Sequence, residues 1–162
     1  LITDSTIMNM QALCRLLPIC LLLLLWQSLP AQHSSGPPSL RLNHIAFVVN
    51  DLNKSAEFYR QVLGLDTLPE PFKDGKHVWL NLGSGAQLHL IAGHRKASSF
   101  KENHVCFAVT DMTTFLKKLN GMAIPFESWT GERGQCTTRT DGVRQVYLQD
   151  PDGYWLEVNN EH

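Results

Sequence analysis

The chain has 162 residues, of which 43% are hydrophobic and 18% charged, and its formal net charge at pH 7 is -1. This composition is typical of a globular protein and is too hydrophobic for a disordered one. Its 14 Lys and Arg residues form no basic run, which argues against a nucleic-acid partner because such binding requires a clustered positive face. Four cysteines are too few for a disulfide-dense small protein.

A short apolar segment lies near the N-terminus. Residues 16–26 read LLPICLLLLLW, a length that suits the hydrophobic region of a signal peptide, whereas a membrane span needs about 20 residues. We therefore predict a signal peptide over 8–31, a Ser/Gly/Pro-rich linker over 32–40, and a periplasmic or secreted protein that leaves the membrane after cleavage. An uncleaved anchor is the alternative. The mature chain would keep Cys106 and Cys136, which either pair or stay free.

The rest of the chain contains an internal repeat. HIAFVVNDL at 44–52 returns as HVCFAVTDM at 104–112, and a second match joins 85–90 to 153–158. This pattern indicates two similar modules in tandem. We place them at 41–92 and 103–160 within one domain spanning 41–160.

Each module is predicted to run strand, helix and three more strands. Asp51 and Asp111 are good helix N-caps, and apolar residues recur at helical spacing after each of them. The predicted strands are 42–49, 65–68, 77–83 and 86–92 in the first module, and 103–109, 124–129, 143–149 and 154–159 in the second. The fold class is therefore α+β, with tandem βαβββ modules that form a half-barrel around a metal or ligand cavity.

The alternation of side chains along a strand assigns residues to the two faces of each sheet. Ile45, Phe47 and Val49 would lie under the helix, so His44 would point to the opposite, concave face. The same rule places His104 on the concave face of the second module.

Two residues of the last strands join these histidines. If the modules pack about a pseudo-twofold axis, His44, His89, His104 and Glu157 converge on one cavity. Imidazole and carboxylate are metal ligands, and we predict a divalent ion, Zn, Ni, Mn, Co or Fe. His89 has an alternative role as an acid or base, and Glu157 is the other candidate for catalytic proton transfer.

Further residues are candidates for contact with a small-molecule substrate. Cys106 lies beside His104 on the concave face, and several aromatic residues could form a wall of the cavity. A basic residue near the variable loops could bind an anionic tail. These substrate-binding candidates are Cys106, Trp79, Tyr147, Trp155 and Arg144.

The opening NHIAFVVNDLNKSAEFYRQVLGL and the closing DPDGYWLEV resemble the vicinal oxygen chelate superfamily, which includes glyoxalase I, fosfomycin-resistance thiol transferases, methylmalonyl-CoA epimerase, extradiol dioxygenases and bleomycin-resistance proteins. The resemblance covers 41–160. It implies metal ligands at His44, His89, His104 and Glu157, and homodimers whose sites combine the first module of one subunit with the second module of the other. His89 stands where glyoxalase I usually carries Glu or Gln.

Three functions follow as hypotheses. The leading one is a metal-dependent lyase or isomerase of glyoxalase I type, acting on a substrate with two vicinal oxygens that chelate the ion. An extradiol dioxygenase-like oxidoreductase is the second, because His44, His104 and Glu157 make a two-His, one-carboxylate set. The third is a protein that binds a small molecule such as an antibiotic without turnover.

Overall fold

A computed structural model describes residues 39–94 and 100–161. The chain separates into two units, Leu1–Arg41 and Leu42–His162, and all the regular structure described here belongs to the second. The predicted signal peptide at 8–31 and residues 32–38 of the predicted linker lie outside the described residues. Among the residues that are described, no helix combines the length and the apolar character needed to cross a membrane.

The first module forms a four-stranded sheet with one helix. The elements are β1 (His44–Val49), α1 (Leu52–Leu63), β2 (Thr67–Leu68), β3 (His77–Gly83) and β4 (Ala86–Ala92). The structure has the predicted element order, with β2 shorter than expected. Strand order is β1-β4-β3-β2, in which β1 and β4 are parallel and the other neighbours are antiparallel.

The second module repeats this plan. The elements are β5 (His104–Ala108), α2 (Met112–Gly121), β6 (Phe126–Glu127), β7 (Thr137–Thr138), β8 (Arg144–Gln149) and β9 (Trp155–Asn159). Strand order is β5-β9-β8-β6, with β5 and β9 parallel, and a short additional strand β7 pairs with β8. The α+β fold with tandem modules is thereby confirmed.

Both helices begin as the sequence predicts. The Asp51 carboxylate accepts a hydrogen bond from the Lys54 amide, and Asp111 does the same for Thr114, each at 3.0 Å. These bonds satisfy amides of the first helical turn that have no partner within the helix. The α1 helix ends at Gly64, whose φ of 74° is the left-handed conformation that glycine adopts without steric cost.

Alternation along the strands puts the core on the helix side of each sheet. Phe47 and Val49 are buried, while His44 and Ala46 on the same strand are exposed. Leu156 and Val158 are buried in the same way in the second module. The predicted faces are therefore confirmed, and the predicted ligands lie on the faces opposite the core.

The turn between β8 and β9 joins the second module to the first. The buried Asp150 carboxylate accepts hydrogen bonds from the Tyr59 hydroxyl on α1 at 2.8 Å and from the Asp152 and Tyr154 amides at 2.9 Å. Burial raises the pKa of Asp150, although these hydrogen bonds oppose the rise. The Ser55 hydroxyl donates to Asp152 at 2.7 Å. This turn fixes the contact between the modules.

Candidate functional site

Seven of the nine predicted site residues, together with Asn159, lie in two clusters, one on each sheet. The first-module cluster consists of His44, His89 and Trp79, on strands β1, β4 and β3. The second-module cluster consists of His104, Cys106, Tyr147, Glu157 and Asn159, on strands β5, β8 and β9.

The first-module cluster is a column of three stacked rings. The His89 ring lies between Trp79, at a centroid distance of 4.2 Å, and His44, at 4.3 Å. The planes are within 4° and 8° of parallel, respectively. The strand register explains the column, because Trp79 and Ala46 are the partners of His89 on either side and His44 is two residues before Ala46.

Each histidine of this column has one ring nitrogen within hydrogen-bonding distance of a side-chain amide oxygen. His44 Nδ1 lies 2.8 Å from Asn43 Oδ1, and His89 Nε2 lies 2.8 Å from Gln87 Oε1. A hydrogen bond at one ring nitrogen selects the tautomer and leaves a lone pair on the other, the arrangement common to metal-bound histidines. Burial, followed by the neighbouring histidines His44 and His77, lowers the pKa of His89, which favours its neutral form.

The second-module cluster is organised around a buried carboxylate. Glu157 is 7% exposed, and its Oε2 accepts from the Tyr147 hydroxyl at 2.5 Å. Its Oε1 accepts from Asn159 Nδ2 at 3.0 Å and from the Cys106 thiol at 3.3 Å. Burial alone would raise the pKa of Glu157, but these donors outweigh burial and hold the pKa below its usual range.

The pKa values of two neighbours of this carboxylate are raised, whereas that of Glu157 is lowered. Burial, together with the negative charge of Glu157, raises the pKa of Cys106 to about 12. Burial and the hydrogen bond to Glu157 also raise the pKa of Tyr147. Both groups are therefore protonated donors at neutral pH. Cys106 and Cys136 are free thiols, which answers the question of whether they pair.

His104 and Glu157 face each other at a distance that a shared proton or a metal ion can bridge. Its Nδ1 lies 2.8 Å from the Lys101 carbonyl oxygen, which can only accept, so this nitrogen carries the proton. Its Nε2 lies 3.2 Å from Glu157 Oε2. A lone pair on Nε2 would face a negative oxygen, which is repulsive unless a proton or a metal ion lies between them. The donor set of this cluster therefore fits a divalent cation.

The four predicted ligands form two pairs in a single chain. His44 stacks on His89, and His104 contacts Glu157. Over residues 39–94 and 100–161, no three of the four bring ligand atoms within 4.8 Å of one another. The physical reason is that β1 and β5 are edge strands of separate sheets and do not pair with each other. Convergence of all four on one ion stays a prediction for an assembly of two copies.

One other group of possible ligands lies outside this pattern. Glu70, Asp74 and His77 bring one ligand atom each within 4.8 Å of one another. Both Glu70 carboxylate oxygens already accept backbone amides, and Asp74 accepts the Lys76 amide. These hydrogen bonds stabilise the loop before β3 and are sufficient reason for the three side chains to lie together.

The predicted substrate contacts divide between the two sides of the sheets. Trp79, Tyr147 and Cys106 belong to the clusters, and Trp155 lies on the same face as Glu157, two residues before it. Arg144 lies apart from them because it alternates with Gln145 and Tyr147 along β8. Its guanidinium instead donates to Thr113 Oγ1 on α2 at 3.2 Å.

The sequence interpretation assigned no role to Lys101. Its ammonium group forms an ion pair with Glu127 and donates to the Ser128 and Trp129 carbonyls at 3.2 and 3.1 Å. It also lies over the ring of Tyr147, 5.5 Å from the centroid. No sequence motif marks this lysine, because the loop that it contacts is distant along the chain.

A cavity adjoins the second-module cluster. It has a volume of about 470 Å³, and Tyr147 and Trp155 form part of its wall together with Glu127 and Arg133. The Tyr147 hydroxyl links this wall directly to Glu157. Glu157, His104 and Cys106 do not line this cavity, so it adjoins the cluster only through Tyr147 and Trp155.

Several known proteins are similar to this chain in sequence or in fold. "Glyoxylase I 4" of Arabidopsis thaliana is 29% identical over 127 residues, which cover 74% of this chain and 70% of that protein. The lactoylglutathione lyase of Pseudomonas putida is 23% identical, over 79% of this chain and 89% of its own. The crystal structure of the fosfomycin resistance protein FosX from Listeria monocytogenes has a TM-score of 0.62 at 18% identity, covering 77% of this chain and 96% of that one.

A family model also matches this chain. The model of the Glyoxalase/Bleomycin resistance protein/Dioxygenase superfamily matches residues 41–158, which include both modules and both clusters. The chain belongs to the Glyoxalase/Bleomycin resistance protein/Dioxygenase superfamily.

Proposed function

We propose that this protein is a metal-dependent lyase or isomerase of glyoxalase type, acting on a small molecule with two vicinal oxygens. The observation that carries the proposal is the facing pair of His104 Nε2 and Glu157 Oε2. The second polar atom of each side chain is already hydrogen-bonded, His104 Nδ1 to the Lys101 carbonyl and Glu157 Oε1 to Asn159. Ligands whose non-coordinating polar atom is held by a hydrogen bond in this way are characteristic of metal centres.

His44, His104 and Glu157 would hold the ion, with His89 as a fourth ligand or as the base. A bound divalent ion would stabilise negative charge on the substrate oxygens as a Lewis acid. The donor set of imidazoles and one carboxylate suits Zn, Ni, Mn, Co or Fe.

The chain's own groups would move the proton. His89 is the better base, because its lowered pKa keeps it neutral and ready to accept a proton at neutral pH. Glu157 is a weaker base, because its hydrogen bonds stabilise the carboxylate. The Tyr147 hydroxyl remains protonated and donates its one hydrogen to Glu157 Oε2, which stabilises that side chain as a carboxylate. Cys106 and Trp155 would line the same face.

A homodimer would complete this site. His44 and His104 both lie on edge strands, β1 and β5, so the concave face of each sheet can continue into that of a second copy. Two such contacts related by twofold symmetry would pair the first-module cluster of one copy with the second-module cluster of the other. Dimers with shared sites are also what the family resemblance implies.

Metal analysis combined with a substrate screen tests the proposal. The purified protein should bind close to one divalent ion per chain and convert a member of a panel of hydroxy-ketones, epoxides and related compounds, and Glu157→Gln should lose both properties. Arg144→Gln is the control, because that side chain lies on the helix side. Substrate binding that is unchanged in metal-free protein would contradict the proposal and favour a binding protein without turnover.

An extradiol dioxygenase-like oxidoreductase is the second candidate, and one observation favours it. Trp79 and His44 cover both faces of the His89 ring, and without His89 the remaining candidates His44, His104 and Glu157 are a two-His, one-carboxylate set. That set suits Fe(II) with open positions for ligands. Oxygen consumption by the Fe(II)-loaded protein with a catechol would support this candidate, and its absence beside an active lyase would exclude it.

A further inference from the structure

Two amide side chains lie directly beside the central pair of the second-module cluster. Gln145 on β8 and Asn159 on β9 are register partners, and the adjacent pair on the same face is Tyr147 and Glu157. Both amides are buried, at 8% and 6% exposure. A buried amide is costly unless it is hydrogen-bonded, so its partners indicate why it is there.

Asn159 fixes one oxygen of the carboxylate. Its Nδ2 donates to Glu157 Oε1 at 3.0 Å and to Cys106 Sγ at 3.2 Å, while its Oδ1 accepts from the Glu161 amide at 3.2 Å. All donors and one acceptor of this amide are therefore used, which leaves it a single orientation. Glu157 Oε1 is thereby held by the strand, and Oε2 is the oxygen turned toward His104.

Gln145 acts on the other oxygen through Tyr147. Its Nε2 donates to the Tyr147 hydroxyl oxygen at 2.9 Å. A hydroxyl has only one hydrogen, so the Tyr147 proton must point to Glu157 Oε2, at 2.5 Å. Asn159 thus positions Oε1 of the carboxylate directly, and Gln145 positions Oε2 through Tyr147.

The first module lacks this pair. The strand register there places His77 and Ile91 beside Trp79 and His89, where the second module has Gln145 and Asn159 beside Tyr147 and Glu157. The fold itself therefore does not require the amides. Of the two modules, the one that carries the buried carboxylate is the one that has the amides at these positions.

We propose that Gln145 and Asn159 are positioning residues, which hold Glu157 so that it meets a cation through Oε2 alone. The inference rests on the proposed function, since it requires Glu157 to bind a metal ion. Outer hydrogen bonds of this kind orient metal-binding carboxylates and tune their affinity. Neither amide would touch the ion or the substrate.

Cobalt binding by the full protein tests the proposal, with Co²⁺ alone as the probe. Asn159→Leu should weaken Co²⁺ binding by about ten- to hundredfold, and Gln145→Leu by about threefold because it acts through Tyr147. The visible spectrum of bound Co²⁺ should also change in Asn159→Leu, since Oε1 would be free to join the metal. Asn159→Ser, a smaller polar replacement, should show the same direction if the leucine variant folds poorly.

The control is the next residue along the chain. Asn160 accepts from the Arg144 amide at 2.7 Å, so Asn160→Leu removes a structural amide near the same strand end. It should lower the melting temperature without changing Co²⁺ affinity. Unchanged affinity and spectrum in both Asn159 variants, while Glu157→Gln loses Co²⁺, would overturn the positioning role. Undiminished Co²⁺ binding by Glu157→Gln would overturn the proposed function itself, and the positioning role with it.

Discussion

The two clusters occupy repeat-related positions on similar sheets, yet different forces hold them. Trp79 and His89 of the first module correspond to Tyr147 and Glu157 of the second, and each pair is joined across neighbouring antiparallel strands. In the first module the pair is a ring stack, whereas in the second it is a hydrogen bond to a carboxylate. One backbone plan therefore supports an uncharged aromatic surface in one half and a stabilised negative charge in the other.

Their polar atoms show the same contrast. The indole Nε1 of Trp79 is buried and has no hydrogen-bond partner among the described residues. Tyr147 at the corresponding position both donates to Glu157 and accepts from Gln145. An unpaired buried donor costs stability, so the first cluster tolerates a penalty that the second avoids. The second cluster is the better prepared of the two to bind a cation.

The largest expected effect separates the clusters by metal affinity. Glu157→Gln should weaken Co²⁺ binding by about a thousandfold, or about 4 kcal/mol, because it removes the only negative ligand of the set. His89→Gln should weaken binding by no more than about tenfold, since it removes at most one neutral ligand. Equilibrium dialysis measures both values. Equal losses in the two variants would contradict the division of roles.

The contact that joins the modules should carry the next largest effect. Asp150→Ala should lower the free energy of unfolding by about 3 kcal/mol, because the buried Tyr59 hydroxyl and two amides lose their acceptor. Urea unfolding followed by circular dichroism measures the change. Asp66→Ala removes an exposed carboxylate and should have a far smaller effect. Similar losses in the two variants would show that the turn does not hold the modules together.

A matched pair of ring substitutions sharpens the comparison further. Tyr147→Phe should cost about 2 kcal/mol of unfolding free energy, because Glu157 and Gln145 each lose a partner. Trp79→Phe should cost less than about 1 kcal/mol, since the loss of ring area is partly offset by removal of the unpaired indole N–H. Thermal and urea unfolding provide the values. A larger cost for the Trp79 variant would invert the proposed contrast.

The smallest expected effect is a pH dependence at Asp150. Burial raises its pKa in the folded state, so folding favours the protonated form. Relative to Asp150→Asn, the wild type should be more stable near pH 4 than near pH 7, with the advantage lost as pH rises through the folded-state pKa. Urea unfolding at the two pH values tests the sign. A difference that grows with pH would contradict it.

The fold could be predicted from the sequence because its signals are local. The repeat, the capping residues Asp51 and Asp111, and the alternation along β1 and β5 each depend on a few neighbouring residues. The two-residue strand β7 was missed because the Gly- and Thr-rich segment containing it has no alternation to detect.

The site could be predicted only in part. Alternation placed His44, His89, His104 and Glu157 on the concave faces, but it could not reveal that a single chain holds them as two pairs, since that depends on how whole sheets associate. The contacts of Lys101 could not be predicted either, because its partners at 127–129 are brought near only by folding.

Subunit complementation tests the central claim, that the two clusters meet around one ion across two copies. A His44→Ala/His89→Ala variant and a His104→Ala/Glu157→Gln variant should each bind no Co²⁺ at the site. When the two are unfolded together and refolded, random pairing should restore about a quarter of the wild-type sites, because half of the dimers regain one intact site of two. No recovery in mixed dimers that are shown to form would contradict the account.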